Sequence, residues 1–441
     1  MELQIEKLIY GGDGLARQNG KSVFVPFVLP GERVAAEVKE DKKSFARAQV
    51  ERVLEASPDR VVAPCPYFER CGGCHYQHAS YEAQVEFKRG ILMESLKRTA
   101  GIDLQAMGVP IQVIASAEPF GYRNRTRVHL EHAPRFSLGY YRGGTHELLA
   151  VEQCPISSPL INHALQALWD IGNHAGIPRA VREIEIFAED QDAECLIELY
   201  VGDGRPSEGE LDRFAQAVQR ALPECVGIHG FAPVKAGVMR QIASAGEAAL
   251  DYHAAGSTYR VSAGSFFQVN RHLLSQFVAL VTHGASHGTQ GKRALDLYAG
   301  AGLFALPLSD SYQEVFAVEA SPFSFADLQA NLPETAHTYC QTTESFLKQR
   351  GEDVLAPDLA IVDPPRAGVG VEGAKLLAST LPLEIRYVSC DPVTLARDLK
   401  VLLASGYGIE EVYMVDMFPQ TMHVESFVRL RSSRRIGKSD L

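Results

Sequence analysis

From about residue 290 onward, short unbroken apolar runs alternate with segments of helical spacing. No other feature constrains the fold as strongly. The runs are residues 294–298, 314–318, 359–362, 385–389 and 412–416. Strands that are apolar on both faces have to be covered on both faces. This predicts a mostly parallel sheet with helices on either side. Such sheets bind ligands at the carboxyl ends of their strands, so the residues that end these runs are the first candidates for a site.

Two further units precede this one. In the first 55 residues, short runs at 3–8, 22–28, 33–39 and 46–54 are separated by Gly11-Gly12-Asp13-Gly14, Asn19-Gly20 and Pro30-Gly31, which supply turn chemistry. Four or five strands in so few residues predict a small closed barrel of OB-like size. Residues 57–80 hold three cysteines among Pro and Gly, and 81–99 has helical spacing. Strands then dominate from 110 to about 250 (111–116, 125–130, 183–188, 194–200), with helices at 159–175 and 208–222, which predicts an α+β unit. The expectation is a multidomain chain: an OB-like β-barrel at 1–55, a central α+β domain at 56–255, and a C-terminal α/β Rossmann-like domain at 256–441. The helix at 81–100 is expected to pack with the last of these. The basic tail after Leu430 is expected to fray.

The 441 residues carry 43 Lys and Arg against 54 Asp and Glu, a net charge of −11. Bulk charge therefore does not hold a nucleic acid, and such a partner needs a local patch or chemistry at a site. In the barrel that patch would comprise Lys42, Lys43, Arg47 and Arg52. No stretch reaches the roughly 18 apolar residues of a membrane helix, and the N-terminus lacks the pattern of a signal peptide. A cytoplasmic, reducing compartment is expected, in which the eight cysteines are thiols, metal ligands or nucleophiles.

The run at 294–298 passes into Ala299-Gly300-Ala301-Gly302, and Glu319 closes the next strand nineteen residues after Gly300. A glycine turn with an acidic residue about 20 positions on suits a ribose-bearing cofactor. The turn lacks the third glycine of a dinucleotide fingerprint, and S-adenosylmethionine, which has no phosphate, suits it better. Asp363-Pro364-Pro365-Arg366 ends another strand; Asp363 either faces a ligand there or caps the turn. Cys390 follows the 385–389 strand and precedes a helix at 394–403. A helix N-terminus lowers a thiol pKa, whereas Asp391 opposes this. Beside Asp363 and Glu319 such a thiol reads as a nucleophile, and alone as a buried structural cysteine. Near the end, a Pro-containing loop brings His423 and Glu425 together, with Glu425 either a general base or a solvent-facing edge residue.

Cys65, Cys71 and Cys74 are spaced C-x5-C-x2-C, and Cys154 stands apart before a proline. Four thiolates suit a tetrahedral zinc or an iron–sulfur cluster. Three grouped thiols plus a remote one before proline lean toward [4Fe–4S]. Cys195, Cys225 and Cys340 are expected in the core.

Together these residues resemble the iron–sulfur, S-adenosylmethionine-dependent RNA (uracil-5)-methyltransferases, over nearly the whole chain. Gly11-Gly12-x-Gly14-x-Ala16-Arg17 and Leu29-Pro30-Gly31-Glu32 resemble a TRAM domain, an RNA-binding barrel. Gly121-Tyr122-Arg123-Asn124-Arg125 is similar to the family's basic element, and 264–270 to its FFQ-x-N segment. Asp363-Pro364-Pro365-Arg366, Ser389-Cys390-Asp391-Pro392 and His423-Val424-Glu425 complete the set. Ala299 and Met422 depart from residues frequent in the family. The resemblance implies Cys390 as nucleophile and Glu425 as base. It implies Gln268, Tyr298, Glu319 and Asp363 as cofactor-binding residues, and Cys65, Cys71, Cys74 and Cys154 as [4Fe–4S] ligands.

The implied activity is methyl transfer to carbon 5 of an RNA uridine, with 23S ribosomal RNA favoured and transfer RNA as the alternative. A monomer with no membrane partner is expected. Two other classes compete: an iron–sulfur Rossmann oxidoreductase, which needs a longer glycine fingerprint, and an RNA-binding factor without catalysis, against which Cys390 and Glu425 argue.

Overall fold

The structure is a computed structural model that describes residues 1–174, 176–202, 204–234, 239–283 and 291–433. Five strands close the first unit into a barrel: β1 (Glu2–Leu8), β2 (Gly14–Gln18), β3 (Lys21–Val25), β4 (Arg33–Asp41) and β5 (Phe45–Glu55), in the order β1-β2-β3-β5-β4. Inward residues alternate along the strands, as a half-buried strand requires, and Leu3, Ile5, Val23, Val25, Val34 and Ala36 fill the interior. The sequence reading left β2 inside a turn. Gly14 starts this strand because a side chain there would collide with Val28.

Helix α1 (Tyr81–Ala100) begins at Ser80, whose hydroxyl accepts the Ala83 N–H, and stops at Gly101, held at φ +72. Strand β6 (Ile111–Ile114) follows. The central unit contains β7 (Arg125–Glu131), β8 (Ser137–Tyr141), β9 (Leu148–Ala150), α2 (Pro159–His174), β10 (Val181–Ala188), β11 (Cys195–Val201), α3 (Glu208–Ala221), β12 (Cys225–Pro233) and β13 (Met239–Gly246). Its sheet has the order β13-β12-β11-β10-β7-β8-β9. One face packs on α2 and α3 through Ile184, Ile186, Leu165 and Phe214, while Phe187, Leu196 and Phe231 turn to the C-terminal unit.

The hairpin β14 (Ala249–Ala254) and β15 (Ser257–Ser262) stands as its own two-stranded sheet and packs into the C-terminal core through Leu250, Tyr252, Tyr259 and Val261. The expected boundary at 256 falls inside this hairpin. After α4 (Leu274–Thr282) come β16 (Gly291–Leu297), α5 (Ala305–Ser309), β17 (Tyr312–Glu319), α6 (Pro322–Asn331), β18 (His337–Cys340) and α7 (Thr343–Arg350). The chain continues through β19 (Leu359–Val362), α8 (Gly370–Ser379), β20 (Glu384–Ser389), α9 (Pro392–Ala404), β21 (Tyr407–Val415) and β22 (Glu425–Ser432). The sheet order is β18-β17-β16-β19-β20-β22-β21-β6. The first five strands are parallel, and β22 runs antiparallel between β20 and β21. Leu295, Leu297 and Val318 point into one helical layer, and Ala294, Val315 and Ala317 into the other, as the unbroken apolar runs predict.

Three details differ from the sequence reading. β6 pairs with β21 and so belongs to this sheet rather than to the central one. The helix after the glycine turn is a short one, α5. β22 extends through Ser432, so the start of the tail is ordered by its pairing with β21; residues 434–441, and residue 175, the last of the helix expected at 159–175, lie outside the described residues.

Helix α1 packs on this unit as expected, with Val85, Ile91, Leu92 and Leu96 against Leu395, Leu399 and Leu402 of α9 in one core. The barrel is fastened to the same unit by Leu8 in that core, by Lys7 with Glu94 at 2.6 Å, and by Tyr10, whose hydroxyl donates to Asp391 Oδ2 at 2.8 Å. Among the described residues no helix is long and apolar enough to cross a membrane.

Because Leu92 is fully enclosed between α1 and α9, Leu92→Ala is expected to cost about 2–5 kcal/mol. Urea unfolding followed by circular dichroism measures this. An unchanged midpoint would show that α1 is not part of the catalytic core.

Candidate functional site

The strand order reverses direction between β16 and β19, and at such a switch point the diverging loops open a crevice at the carboxyl edge. A cavity of about 1050 Å³ lies there. Its lining includes Gln268, Tyr298, Glu319, Asp363, Cys390 and Glu425, all six of the residues that the sequence assigned to cofactor or catalysis.

Register explains the convergence. Leu297 pairs with Val318 on one side and Val362 on the other, so the next residues, Tyr298, Glu319 and Asp363, leave the sheet side by side. Ser389 pairs antiparallel with Ser426, so Cys390, one step past β20, faces Glu425, the first residue of β22. Glu425 is therefore a buried central-strand residue, 3% exposed, and not an edge residue in solvent. The turn between Tyr298 and Gly302 is tight, with Tyr298 at φ +71 and Gly300 and Gly302 at +56 and +93. A side chain at Gly300 would meet nothing within 4 Å, so the turn leaves open space for a ligand close to its backbone. Glu319 is oriented by the N–H groups of Gly300 (2.8 Å) and Ser321 (2.6 Å). Gln268 Nε2 donates to Asp363 Oδ2 at 3.4 Å.

The electrostatics are those of acids kept from water. Burial, and next the proximity of Asp363, raise Asp296 to about 8; Asp363 is raised by burial to about 7. Glu425 is pushed well above the usual carboxylate range by burial and by Asp363. Cys390 is pushed up to about 12, first by burial and then by Glu425 and Asp363, with Arg366 opposing. The expectation that a helix N-terminus lowers this thiol is thus outweighed. Asp391 already caps α9 by accepting the Val393 and Thr394 N–H groups at 2.9 Å, and burial first, then the acids beside the sulfur, set the net shift. His423 is lowered to about 3 by burial and by Arg366, whose guanidinium donates to its Nε2 at 3.1 Å.

A second cavity, of about 50 Å³, is ringed by Cys65, Cys71, Cys74 and Cys154 together with Tyr67, Gln77, Arg123 and Tyr140. Burial raises the Cys74 thiol to about 12, and the neighbouring thiols add to this. Asn162 fixes the Cys154 loop by accepting its N–H at 2.7 Å and donating to its carbonyl at 3.0 Å. Among the described residues no three His, Cys, Asp or Glu side chains form a group able to hold a metal ion. Arg123 lines both cavities, and its Nε has no hydrogen-bond partner among the described residues. Cys195 is buried as expected and lies opposite Cys225, which is partly buried. Cys340 is instead exposed, because β18 is an edge strand and Cys340 its last residue.

Sequence reasoning missed the contact of Arg366 with His423, the place of Gly72 and Gly73 in the wall of the large cavity, and the polar residues Gln84 and Lys88 inside α1. Gln84 and Lys88 did leave a signal: they interrupt the otherwise apolar inner face of that helix. On the barrel, the basic face is partly neutralised, with Arg47 3.0 Å from Asp13 and Lys42 3.1 Å from Glu40.

The strand order and the glycine turn with its paired carboxylate define a class, the α/β nucleoside-binding folds, and a cysteine faces an acid at the same edge. The family profile described as tRNA (Uracil-5-)-methyltransferase matches residues 244–344 and 345–433, and the TRAM domain profile matches 1–50. An uncharacterized RNA methyltransferase of Aquifex aeolicus is 34% identical over 98% of both chains. The 23S rRNA (uracil(1939)-C(5))-methyltransferase RlmD of Pectobacterium atrosepticum is 33% identical over 94% of this chain and 90% of its own. The crystal structure of Pyrococcus abyssi tRNA (uracil-54, C5)-methyltransferase with S-adenosyl-L-homocysteine superposes with a TM-score of 0.74 at 25% identity, over 98% of this chain and all of that one. The chain belongs to the S-adenosylmethionine-dependent RNA uracil-5 methyltransferases and carries a TRAM domain at its N-terminal end.

A carboxyl raised from 3.8 to about 7 keeps its proton in the folded chain where the unfolded chain has lost it. Its contribution to stability is therefore present at low pH and is lost as pH rises from about 4 through about 7. Asp363→Asn is expected to gain stability relative to the unaltered protein over that interval, read from urea unfolding at a series of pH values. Parallel stability curves would show that Asp363 is ionised in the free protein.

Proposed function

We propose that this chain methylates carbon 5 of a uridine in 23S ribosomal RNA through a transient bond between Cys390 and carbon 6 of the uracil. The observation that carries this reading is the single cavity on which the Cys390 thiol, the facing buried Glu425 and the backbone-held Glu319 converge. Its volume, about 1050 Å³, suits a nucleoside cofactor and an extruded base together. Ribosomal RNA is favoured because the relatives named for 23S uracil share 33% of their residues with this chain over nearly full length, against 25% for the transfer-RNA enzyme.

Carbon 5 of uracil is a weak nucleophile. Addition of the Cys390 thiolate to carbon 6 turns the ring into an enolate, whose carbon 5 can attack the methyl sulfonium. Glu319 would take the ribose hydroxyls, its two oxygens being already aimed by backbone N–H groups. Gln268, Tyr298 and Asp363 would complete the cofactor site. Since Cys390 is a protonated thiol in the free protein, its ionisation belongs to the loaded complex. There Arg366, and a sulfonium in the same cavity, favour the thiolate. Glu425, raised in the free protein in the same way, would have to give up its proton in the loaded complex too, and as a carboxylate it then accepts the proton of carbon 5 while the sulfur leaves and the ring double bond re-forms. RNA is held against a net charge of −11 by local contacts, including the barrel face with Lys42, Lys43, Arg47 and Arg52.

The ring of Cys65, Cys71, Cys74 and Cys154 fits a [4Fe–4S] cluster: four thiols surround one cavity, and the cationic Arg123 faces them where an anionic cluster would need compensation. When bound, the cluster would supply a cross-link between the segment 65–74 and the Cys154 loop. Gly72 and Gly73, which wall the large cavity, lie between Cys71 and Cys74 of that segment.

Cys390→Ala is expected to abolish methyl transfer to RNA while leaving cofactor binding intact. Mapping of 5-methyluridine by mass spectrometry in a strain lacking the gene is expected to show one unmodified uridine in 23S RNA. A missing methyl group in transfer RNA instead would favour the alternative substrate, and normal turnover by Cys390→Ala would reject the mechanism. Anaerobically purified protein is expected to hold about four irons and four sulfides per chain, and Cys74→Ser to lose them; stoichiometric zinc would contradict the cluster.

A further inference from the structure

The loop from Asp416 to Val424 leads into Glu425 and carries His423, yet it is shaped by groups from remote segments, among them the Ile114 carbonyl of β6, which accepts the Asp416 N–H at 2.9 Å, and Arg366, which donates to His423 Nε2 at 3.1 Å. Asn270 Nδ2 donates to the Met417 carbonyl and the Tyr122 hydroxyl to the Pro419 carbonyl, each at 3.0 Å. The N–H groups of His75 and Tyr76, just past Cys74, donate to the Gln420 carbonyl at 2.9 and 3.0 Å. Helix α1 supplies the rest. Lys88 Nζ donates to Asp416 Oδ1 (2.6 Å) and to the Phe418 carbonyl (2.8 Å).

One turn earlier on the same face, Gln84 accepts the Gln420 N–H at 3.0 Å through Oε1. Its Nε2 donates to Gln420 Oε1 and to the Ala79 carbonyl, both at 3.0 Å. Gln84 is 1% exposed and Lys88 fully buried. Gln420 stands at φ +69, a left-handed conformation that a non-glycine residue keeps only when its surroundings impose it. Gln84 meets it with both an acceptor and a donor, a combination that neither a carboxylate nor a hydrocarbon of the same length supplies.

We infer that Gln84 is a positioning residue for the last chemical step: by locking the peptide at Gln420 it delivers Glu425 to the proton on carbon 5. The inference rests on Glu425 being the base. Addition of sulfur to carbon 6 and methyl transfer use Cys390 and the cofactor, which lie outside this loop. Of the groups that exchange bonds, Glu425 is the one that adjoins the loop, so the last step depends most directly on its shape, while Phe418, Thr421 and His423 of the loop also line the cavity. In that last step the C5–H bond breaks with its proton going to a Glu425 oxygen, the electron pair re-forms the C5–C6 double bond, and the C6–S bond breaks with its pair returning to Cys390. A slackened loop therefore slows release selectively and leaves the methylated protein–RNA adduct standing.

The test uses the full chain with an RNA fragment containing the target uridine and methyl-labelled S-adenosylmethionine. Gln84→Met keeps the length of the side chain and removes its polar atoms. Turnover is expected to fall roughly tenfold or more, while the single-turnover rate of label transfer stays within about threefold. Labelled adduct that survives denaturing gel electrophoresis is expected to become the major enzyme form. Turnover and label transfer falling in parallel without adduct, or no change in either, would overturn the inference.

Should Gln84→Met fail to fold, Gln420→Met, which removes the reciprocal amide, is read in the same way. Glu425→Gln run alongside separates the two claims. If it accumulates no adduct, the assignment of the base is wrong. If it does and the Gln84 variant does not, the positioning role is wrong.

Discussion

The antiparallel pairing of Ser389 with Ser426 is the constraint on which the site depends, because it sets Cys390 against Glu425 at the edge of a sheet buried on both faces. The pairing places a thiol and several carboxyl groups within one cavity, where ionised groups are poorly solvated and repel one another. The free protein answers by keeping protons: Asp363, Asp296, Glu425 and Cys390 are all shifted toward their neutral forms. A cationic ligand entering this cavity would favour loss of those protons. Arg366, beside the thiol and bonded to His423, is the cation the chain itself supplies.

The surrounding architecture holds that edge in place. The two helical layers of the C-terminal unit are cored by residues from well outside it: α1 and the end of β1 on one side, the β14–β15 hairpin and the central sheet on the other. Tyr10 reaches from the barrel to Asp391, the residue next to Cys390, so the TRAM barrel touches the turn that carries the proposed nucleophile directly. The cysteine-bearing segment does so as well, through Gly72 and Gly73 in the cavity wall and through His75 and Tyr76 on the loop that leads to Glu425. An acidic protein that binds RNA needs this arrangement, since long-range charge attraction is not there to orient the substrate.

Much of this was legible in the amino-acid order. The runs at 294–298, 359–362 and 385–389 became β16, β19 and β20, because continuous apolar strands have one stable environment. Glu319, Asp363 and Cys390 were found by their position at strand ends, and all line one cavity. What local pattern did not carry was pairing between distant segments. Nothing around 111–114 announces a strand beside β21, and nothing around 425 says that the last strand inserts between β20 and β21. The net shift of Cys390 was likewise hidden: the helix terminus is visible in sequence, whereas the burial that outweighs it, and the acids that add to it, arrive through tertiary structure. Gln84 and Lys88, which the sequence reading passed over, anchor a loop more than 300 positions away.

The central claim is a covalent bond between Cys390 and the target base, and the most direct measurement uses RNA in which that uridine is replaced by 5-fluorouridine. After methyl transfer, no base can remove fluorine from carbon 5 as it removes a proton, so the sulfur cannot leave. Proteolysis and mass spectrometry of the reacted protein are expected to find one peptide, containing Cys390, that carries the methylated fluoronucleotide. A nucleotide attached to any other residue, or methylated product released with no attached peptide, would contradict the account.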